Sequence, residues 1–447
     1  MNVFLNFLFV GLPIFFIIGL MLNIKYLVKS FFSFPREIKL VFFSWFFLFF
    51  GLAVWINRGS GIDILSYSIQ VVSIMFISLI TFYFILKNKK LFLTKFLLFY
   101  LVYGFIGLLT SFVSTKPFIT LFKAYSLIIV IIFTGFIIKI IKYNKKYRFI
   151  LVETSIIYFI FIVFLSLLGG YVFPEITHRH NNGPLGFMLV GWPKLNSNTL
   201  SFLAAVVSSY GLIRYVFSKK IKIKMLYFSI FLMGLSVLFL AQGRTSIISF
   251  TLGILLISFL LGELKKIRYF IFIVLIIGIS YYAIKGNINI NNFDLLFEYL
   301  SRGSTVEQLE TISGRTELWE MAIEKVQKSP FIGYGFYVTT VYGPYGPHNS
   351  MLQVLLYSGF IGLLFWLVSI FIGYYKIFNA LFLVNKIKYV SYKDYENLLM
   401  IWLFIIITLL RTITGSDLTV HHYSTLFFLS LYVYAYVLLN WIKKGKG

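Results

Sequence analysis

His348 closes the Gly/Pro-rich stretch Gly343-Pro344-Tyr345-Gly346-Pro347 and stands directly before a long apolar run. An imidazole at the mouth of such a run is placed to take a proton near neutral pH. It could equally serve as a hydrogen-bonding group between water and lipid. Upstream, the stretch from Ser313 to Pro330 reads as a helix. Ser313 can cap it, Glu317 follows near the first turn, and Leu318, Met321, Ala322, Lys325 and Val326 mark one face. Pro330 and the glycines of Phe331-Ile332-Gly333-Tyr334-Gly335 end it. Arg315 then falls in the first turn, beside unpaired backbone N–H groups and the positive end of the helix dipole, a setting that suits phosphate. A surface Arg paired with Glu317 or Glu320 is the other reading, and position alone favours it.

These groups need a frame, and composition dictates which kind. Of the 447 residues, 60% are apolar, 20% aromatic and only 12% charged, against roughly 25% charged in a soluble domain. Apolar runs of about 20 residues, enough to cross ~30 Å of hydrocarbon, recur from end to end. Thirteen candidate spans lie near 3–24, 39–56, 63–86, 91–113, 118–138, 149–169, 198–217, 224–241, 245–262, 268–284, 349–375, 396–415 and 422–442. The expected fold is all-α, a polytopic integral membrane protein with about 12–13 transmembrane helices and one large external loop. Its regions are a helical part over 1–284, with an external loop at about 170–197, the large external loop over 285–348, and the C-terminal helices over 349–447. The first run lacks a basic leader and a small-residue cleavage site, and reads as a first span rather than a removed signal.

The net charge of +25 is distributed in a telling way. Lysines cluster between apolar runs, as in Lys87-Asn88-Lys89-Lys90 and Lys145-Lys146-Tyr147-Arg148, and alternate connections hold most of the 40 Lys and Arg. This is the positive-inside pattern, which puts the N-terminus outside and the C-terminus inside and argues against nucleic acid as a partner. All five histidines (His178, His180, His348, His421, His422) then fall on external segments or external helix ends. Any chemistry is expected at the outer face, because the cytoplasmic connections are short and basic.

Other chemistries find little support. With no cysteine, disulfides, thiol catalysis and Cys-ligated zinc are excluded. His178 and His180, two residues apart, could chelate a metal on a strand, but no third ligand is at hand in that loop. His421 and His422 start the last span and read as interfacial. The notable charges inside spans (Lys123, Glu153, Arg214, Arg411) lie toward span ends, whereas a secondary transporter more often carries them at the midplane. Tyr334, Phe336, Tyr337, Tyr342 and Tyr345 could stack on sugar rings or pack the loop onto the membrane.

The order of these features resembles the bacterial O-antigen ligase and polymerase superfamily (Wzy/WaaL-type). His348-Asn349, nine residues, then Gly359-Phe360-Ile361-Gly362 fits the family pattern of His, a small amide or hydroxyl residue, nine residues, Gly, two residues and Gly. Gly314-Arg315-Thr316-Glu317-Leu318-Trp319 with Pro330, Gly333 and Gly335 looks like the stretch before that histidine. Gln242-Gly243-Arg244-Thr245-Ser246 looks like the short external Arg-Thr/Ser turn. Arg179 with Asn196-Ser197-Asn198 more loosely resembles an Arg and Asn-x-Asn segment. Together these span about 179–362.

The resemblance implies a GT-C-like glycosyltransferase of the bacterial cytoplasmic membrane, with its active site facing the periplasm or outside. A polyprenyl-diphosphate-linked glycan would be the donor and a glycan or lipid-linked hydroxyl the acceptor, with no cofactor and no metal. The chain has no Asp-x-Asp to hold Mg²⁺. His348 would be the general base, or would orient the acceptor. Arg244, Arg315 and Arg179 would bind the diphosphate, with Asn349, Asn198 and Arg411 in support. Arg411 could instead simply reach for the interface, the preferred reading of the two. A chain-length regulator is a further implied partner. A repeat-unit polymerase is the preferred activity, on a composition common in surface-polysaccharide gene clusters. A ligase is the alternative, because the His-Asn-x9-Gly-x2-Gly pattern is best defined there. A flippase stands behind both.

Overall fold

A computed structural model describes residues 3–53, 63–87, 91–180, 187–192, 195–260, 315–336, 347–385, 392–415, 418–419 and 422–444. In chain order its helices are α1 (Leu12–Phe32, entered through a π turn at Phe7–Gly11), α2 (Arg36–Ala53), α3 (Asp63–Leu86), α4 (Lys95–Leu109), α5 (Pro117–Tyr143) and α6 (Ile150–Val172). After a short hairpin come α8 (Ser197–Phe217), α9 (Ile221–Leu240), α10 (Arg244–Leu260), α11 (Arg315–Lys328), α12 (Ser350–Asn385), α13 (Tyr392–Thr414) and α14 (Tyr423–Lys444). The single turn Pro174–Thr177 is α7, and it leads into β1 (His178–His180), which pairs antiparallel with β2 (Phe187–Leu189).

The protein is an all-α, multi-pass membrane protein. Among the described residues, ten helices are long and apolar enough to cross a membrane. Two further apolar helices coincide with expected spans: α2, which opens on Arg36, Glu37 and Lys39, and the shorter α10. The expected span at 268–284 and most of the expected loop at 285–348 lie outside the described residues. Helices are what lipid demands, since each backbone N–H and C=O must find its partner within the segment. Side-chain hydroxyls inside the spans follow the same rule by bonding back one turn, as Thr81 does to the Ile77 carbonyl (2.7 Å) and Thr134 to that of Val130 (2.7 Å). Large apolar side chains such as Phe118, 87% exposed, cover the surface instead of the core, which only a hydrocarbon surround makes favourable.

Two compact units form. The first comprises Met1–Tyr26, Phe159–Ser313 and Tyr392–Leu410. Its α8 and α9 pack closely: a Cβ on Gly211 would sit 2.5 Å from the Phe231 nitrogen, and one on Gly234 2.6 Å from the Ser208 hydroxyl. Small residues allow this approach, the main attraction between helices that have no hydrophobic drive to associate in lipid. One of the span charges noted in the sequence is resolved here. Arg214, in the last turn of α8, pairs with Glu396 near the start of α13 at 2.9 Å, both nearly buried.

The second unit comprises Leu27–Tyr158, Gly314–Ser391 and Arg411–Gly447. Trp45 of α2 is fully buried and donates to Ser155 of α6 (3.2 Å) and Ser430 of α14 (3.0 Å). Lys123, buried near the start of α5, donates to the Gln70 side chain at 3.2 Å. The Leu418 carbonyl, at a left-handed residue (φ 59°) between α13 and α14, accepts from Tyr100 (2.9 Å) and Trp366 (2.7 Å). This short connection is thereby tied into the helical core.

Candidate functional site

The residues singled out in the sequence divide between the two units. Arg179, Asn198 and Arg244 belong to the first, and Arg315, His348, Asn349 and Arg411 to the second.

In the first unit, three segments distant in sequence meet. The loop expected at about 170–197 contains the hairpin, with Arg179 exposed at the middle of β1 opposite Met188. Gln242, held at φ 51°, donates from its amide to the Phe187 carbonyl of β2 at 3.2 Å. Gly243 packs on Ser201, whose hydroxyl donates to the Asn198 carbonyl at 2.9 Å and is hydrogen-bonded to the Ser246 hydroxyl at 3.0 Å. The hairpin, the start of α8 and the turn before α10 are thus bonded together, which brings the segments of Arg179, Asn198 and Arg244 to one place. Arg244 is half-buried and is the first residue of α10, so it shares that helix's unpaired N–H groups and positive dipole end. The helix cap of α8 is Asn196, whose side chain accepts from the Asn198 N–H at 2.9 Å. Sequence reading gave no role to Gln242 or Asn196, although an amide residue just before an apolar run is a recognised cap signal.

His178 stacks on Phe187 (ring centroids 4.1 Å apart) and lies 5.6 Å from Phe9. Burial among these rings lowers its pKa, because the charged form is desolvated, and the imidazole serves as a packing group. Among the described residues no group of three or more His, Cys, Asp or Glu is arranged to hold a metal.

In the second unit the construction is more telling. The Asn349 side chain accepts from the N–H groups of Met351 (3.0 Å) and Leu352 (3.1 Å), so Asn349 is the N-cap of α12. His348 precedes it at φ 49°, a left-handed conformation that costs a non-glycine residue about 1–2 kcal/mol and persists only where neighbours enforce it. From the cap, α12 runs nine residues to Gly359 (φ 62°, ψ −167°), where the helix breaks and resumes. At this break the Pro330–Gly335 stretch docks by backbone. The Phe360 N–H donates to the Pro330 carbonyl (2.7 Å), the Tyr334 N–H to Leu356 (2.8 Å) and the Gly335 N–H to Tyr357 (2.9 Å). A Cβ on Gly359 would land on the Phe331 carbonyl, and one on Gly333 2.6 Å from the Ser358 nitrogen.

This clasp accounts for Gly333 and Gly359 of the motif and for the spacing between Asn349 and Gly359. The nine residues between Asn349 and Gly359 are a helix of about 13 Å, set between a cap at one end and a clasp at the other. One residue more or fewer would turn one end by ~100° relative to the other.

The α11 helix lies along this segment. Its buried stripe is Ala322 and Val326 against Leu356, with Trp319 one turn before and Arg315 opening the helix. Of the expected face, Ala322 and Val326 are buried and Leu318 and Lys325 half-buried, while Met321 is exposed. Ser313, the expected cap, lies outside the described residues. Phe336 is fully buried beside Tyr103 (5.0 Å) and its carbonyl accepts from Thr120 (3.0 Å), while Tyr334 donates to the Lys325 carbonyl (2.9 Å). These two aromatics pack the clasp; Tyr337, Tyr342 and Tyr345 lie outside the described residues. Ser350 donates to the Gly415 carbonyl at 2.8 Å, joining the His348 end of α12 to the segment that follows Arg411. His422 bonds Ser424 at 3.0 Å at the start of α14, and His421 lies outside the described residues.

The cap assignment gives a first expected outcome. Asn349→Ala removes an N-cap, at about 1 kcal/mol, while Asn349→Asp or Asn349→Ser, which still cap, keep near-normal stability and activity. Thermal unfolding of the purified variants, read beside their transfer rates, checks this. Loss of activity in the Asp and Ser variants with stability intact would make Asn349 a substrate contact instead.

Comparison with known proteins agrees with this reading. Residues 228–367 match the family model for the O-antigen ligase domain (Wzy_C), less than half of the chain but including Arg244, Arg315, His348, Asn349 and the clasp. The match supports the O-antigen ligase and polymerase superfamily and a ligase- or polymerase-type function. No curated protein matches the chain.

Proposed function

We propose, from the superfamily the matched domain points to, that this protein transfers a glycan from a polyprenyl-diphosphate donor to a hydroxyl acceptor at the outer face of the cytoplasmic membrane. The observation that carries the proposal is the stretch over 228–367, within which a histidine is held in a left-handed conformation directly before a capped, clasped helix. The acceptor oxygen attacks the anomeric carbon, and the bond from that carbon to the diphosphate oxygen breaks. The acceptor proton goes to the His348 imidazole, and the electron pair leaves with the diphosphate. Negative charge growing on the leaving group calls for fixed cations. Arg244 and Arg315 are suited to this, each at the start of a helix and each offering a planar fork to phosphate oxygens. Arg179 adds charge from the hairpin, Asn198 and Asn349 support the local backbone, and Arg411 lies in the last turn of α13, ahead of the Gly415 that Ser350 bonds. No metal or cofactor takes part in this scheme.

The acceptor in the preferred reading is another lipid-linked glycan, making the protein a repeat-unit polymerase. A ligase that delivers the glycan to lipid A core, protein or a wall polymer is the second reading, favoured by the description of the matched family. The outward orientation is supported by the charge alternation in the sequence. It also fits the Arg214–Glu396 pair, which joins the end of one span to the start of another that the alternation puts on the same side.

Arg244→Ala and Arg315→Ala are each expected to raise the donor KM or lower kcat/KM by about tenfold to a hundredfold, the worth of a charge-assisted contact of ~1.5–3 kcal/mol. Lys at either position should restore part of this, since a point charge lacks the fork. Steady-state kinetics against donor concentration checks it. Full activity in both alanine variants would remove the diphosphate role.

A further inference from the structure

We infer that Trp319 is a positioning residue for His348, acting through the backbone of Pro347. Its indole Nε1–H donates to the Pro347 carbonyl at 2.8 Å. That carbonyl belongs to the peptide immediately before His348, whose φ of 49° would relax in a free chain. The histidine is therefore bracketed on both sides: Trp319 holds the residue before it, and the Asn349 cap fixes the residue after it.

Trp319 is itself rigidly mounted. One end of its helix is fixed by the clasp at Gly359, and Ala322 and Val326 are buried on Leu356. Because Arg315 opens the same helix one turn earlier, the Trp319 bond also sets the register between that helix start and the histidine. A tryptophan is required for a chemical reason. Phenylalanine fills the space without a donor, whereas the half-buried indole N–H meets the Pro347 carbonyl in one geometry and so acts as a strut. The inference rests on the reading of His348 as the group that handles the acceptor proton.

The test uses the full-length protein in lipid with a polyprenyl-diphosphate-linked glycan as donor. Four proteins are compared with the parent: Trp319→Phe, the 3-benzothienyl-alanine isostere at 319, which keeps the ring shape and removes only the N–H, His348→Ala, and the double variant Trp319→Phe/His348→Ala. A displaced catalytic group typically costs on the order of a hundredfold. Both position-319 variants should lower kcat by about tenfold to a hundredfold with the donor KM within about twofold, and Trp319→Phe should cost nothing further once His348 is gone. Unchanged kcat in the benzothienyl variant overturns the proposal, as does a loss that multiplies in full with that of His348→Ala. Parent-level turnover in His348→Ala overturns the histidine reading and this proposal together. An inactive His348→Ala beside active position-319 variants overturns this proposal alone.

Discussion

Replacing His348 by alanine is expected to lower the rate of glycan transfer by roughly 10²–10⁴, the usual worth of a general base, while the protein inserts and folds as before. The second half of this expectation follows from the geometry. The bonds that Asn349, Trp319 and Ser350 make around this backbone stay in place in the variant. A left-handed alanine is no easier than a left-handed histidine, so a small loss of stability of about 1 kcal/mol is allowed for. Rates measured over a range of pH add a second criterion. A base that must be neutral gives a rate that falls as pH drops through its pKa, and that limb should vanish in the variant. A limb that persists in the variant would assign it to another group.

Gly359→Ala carries the largest expected structural effect. At φ 62° and ψ −167° the position lies in a region essentially reserved for glycine, and a Cβ there would occupy the space of the Phe331 carbonyl. Backbone strain of ~1–3 kcal/mol adds to overpacking of ~1–3 kcal/mol. Neither can be relieved cheaply, because the colliding atoms are backbone. The three backbone bonds of the clasp would open, α11 would lose its anchor on α12, and transfer would fail although no catalytic group was touched. A thermal unfolding midpoint in detergent unchanged from that of the parent would contradict this account of the motif glycine. Gly362 is crowded in the same way, because a Cβ there would meet the Ser358 Cβ, which side-chain rotation cannot move.

How much of this was legible in the sequence differs by level. Spans were legible because lipid imposes one rule along the whole chain: twelve of the thirteen expected runs coincide with helices, and the remaining one, 268–284, lies outside the described residues. The α11 helix was legible too, with Pro330 and the glycines after it as its stop. What those glycines do next was not. They pair by backbone with residues 356–360, and such pairing leaves no periodic trace in side-chain types. The hairpin at Arg179 was missed for the same reason, since strands of three residues are too short to show alternation. Gly359 reads in the sequence as a motif position, but only a three-dimensional contact explains why nine residues separate it from Asn349. Trp319 stood out in the sequence only as the end of the stretch Gly314–Trp319, and its role depends wholly on which carbonyl its N–H meets.

The central claim is glycan transfer from a lipid diphosphate, and one assay bears on it most directly. Purified protein in lipid is given polyprenyl-diphosphate-linked repeat units and no other acceptor, and both free polyprenyl diphosphate and glycan length are followed. The account predicts release of the lipid diphosphate together with a ladder of lengthening glycans. A single product appearing only when a second lipid or protein acceptor is added would keep the chemistry and change the acceptor to that of a ligase. No release of polyprenyl diphosphate, with an authentic donor and either acceptor present, would contradict the claim.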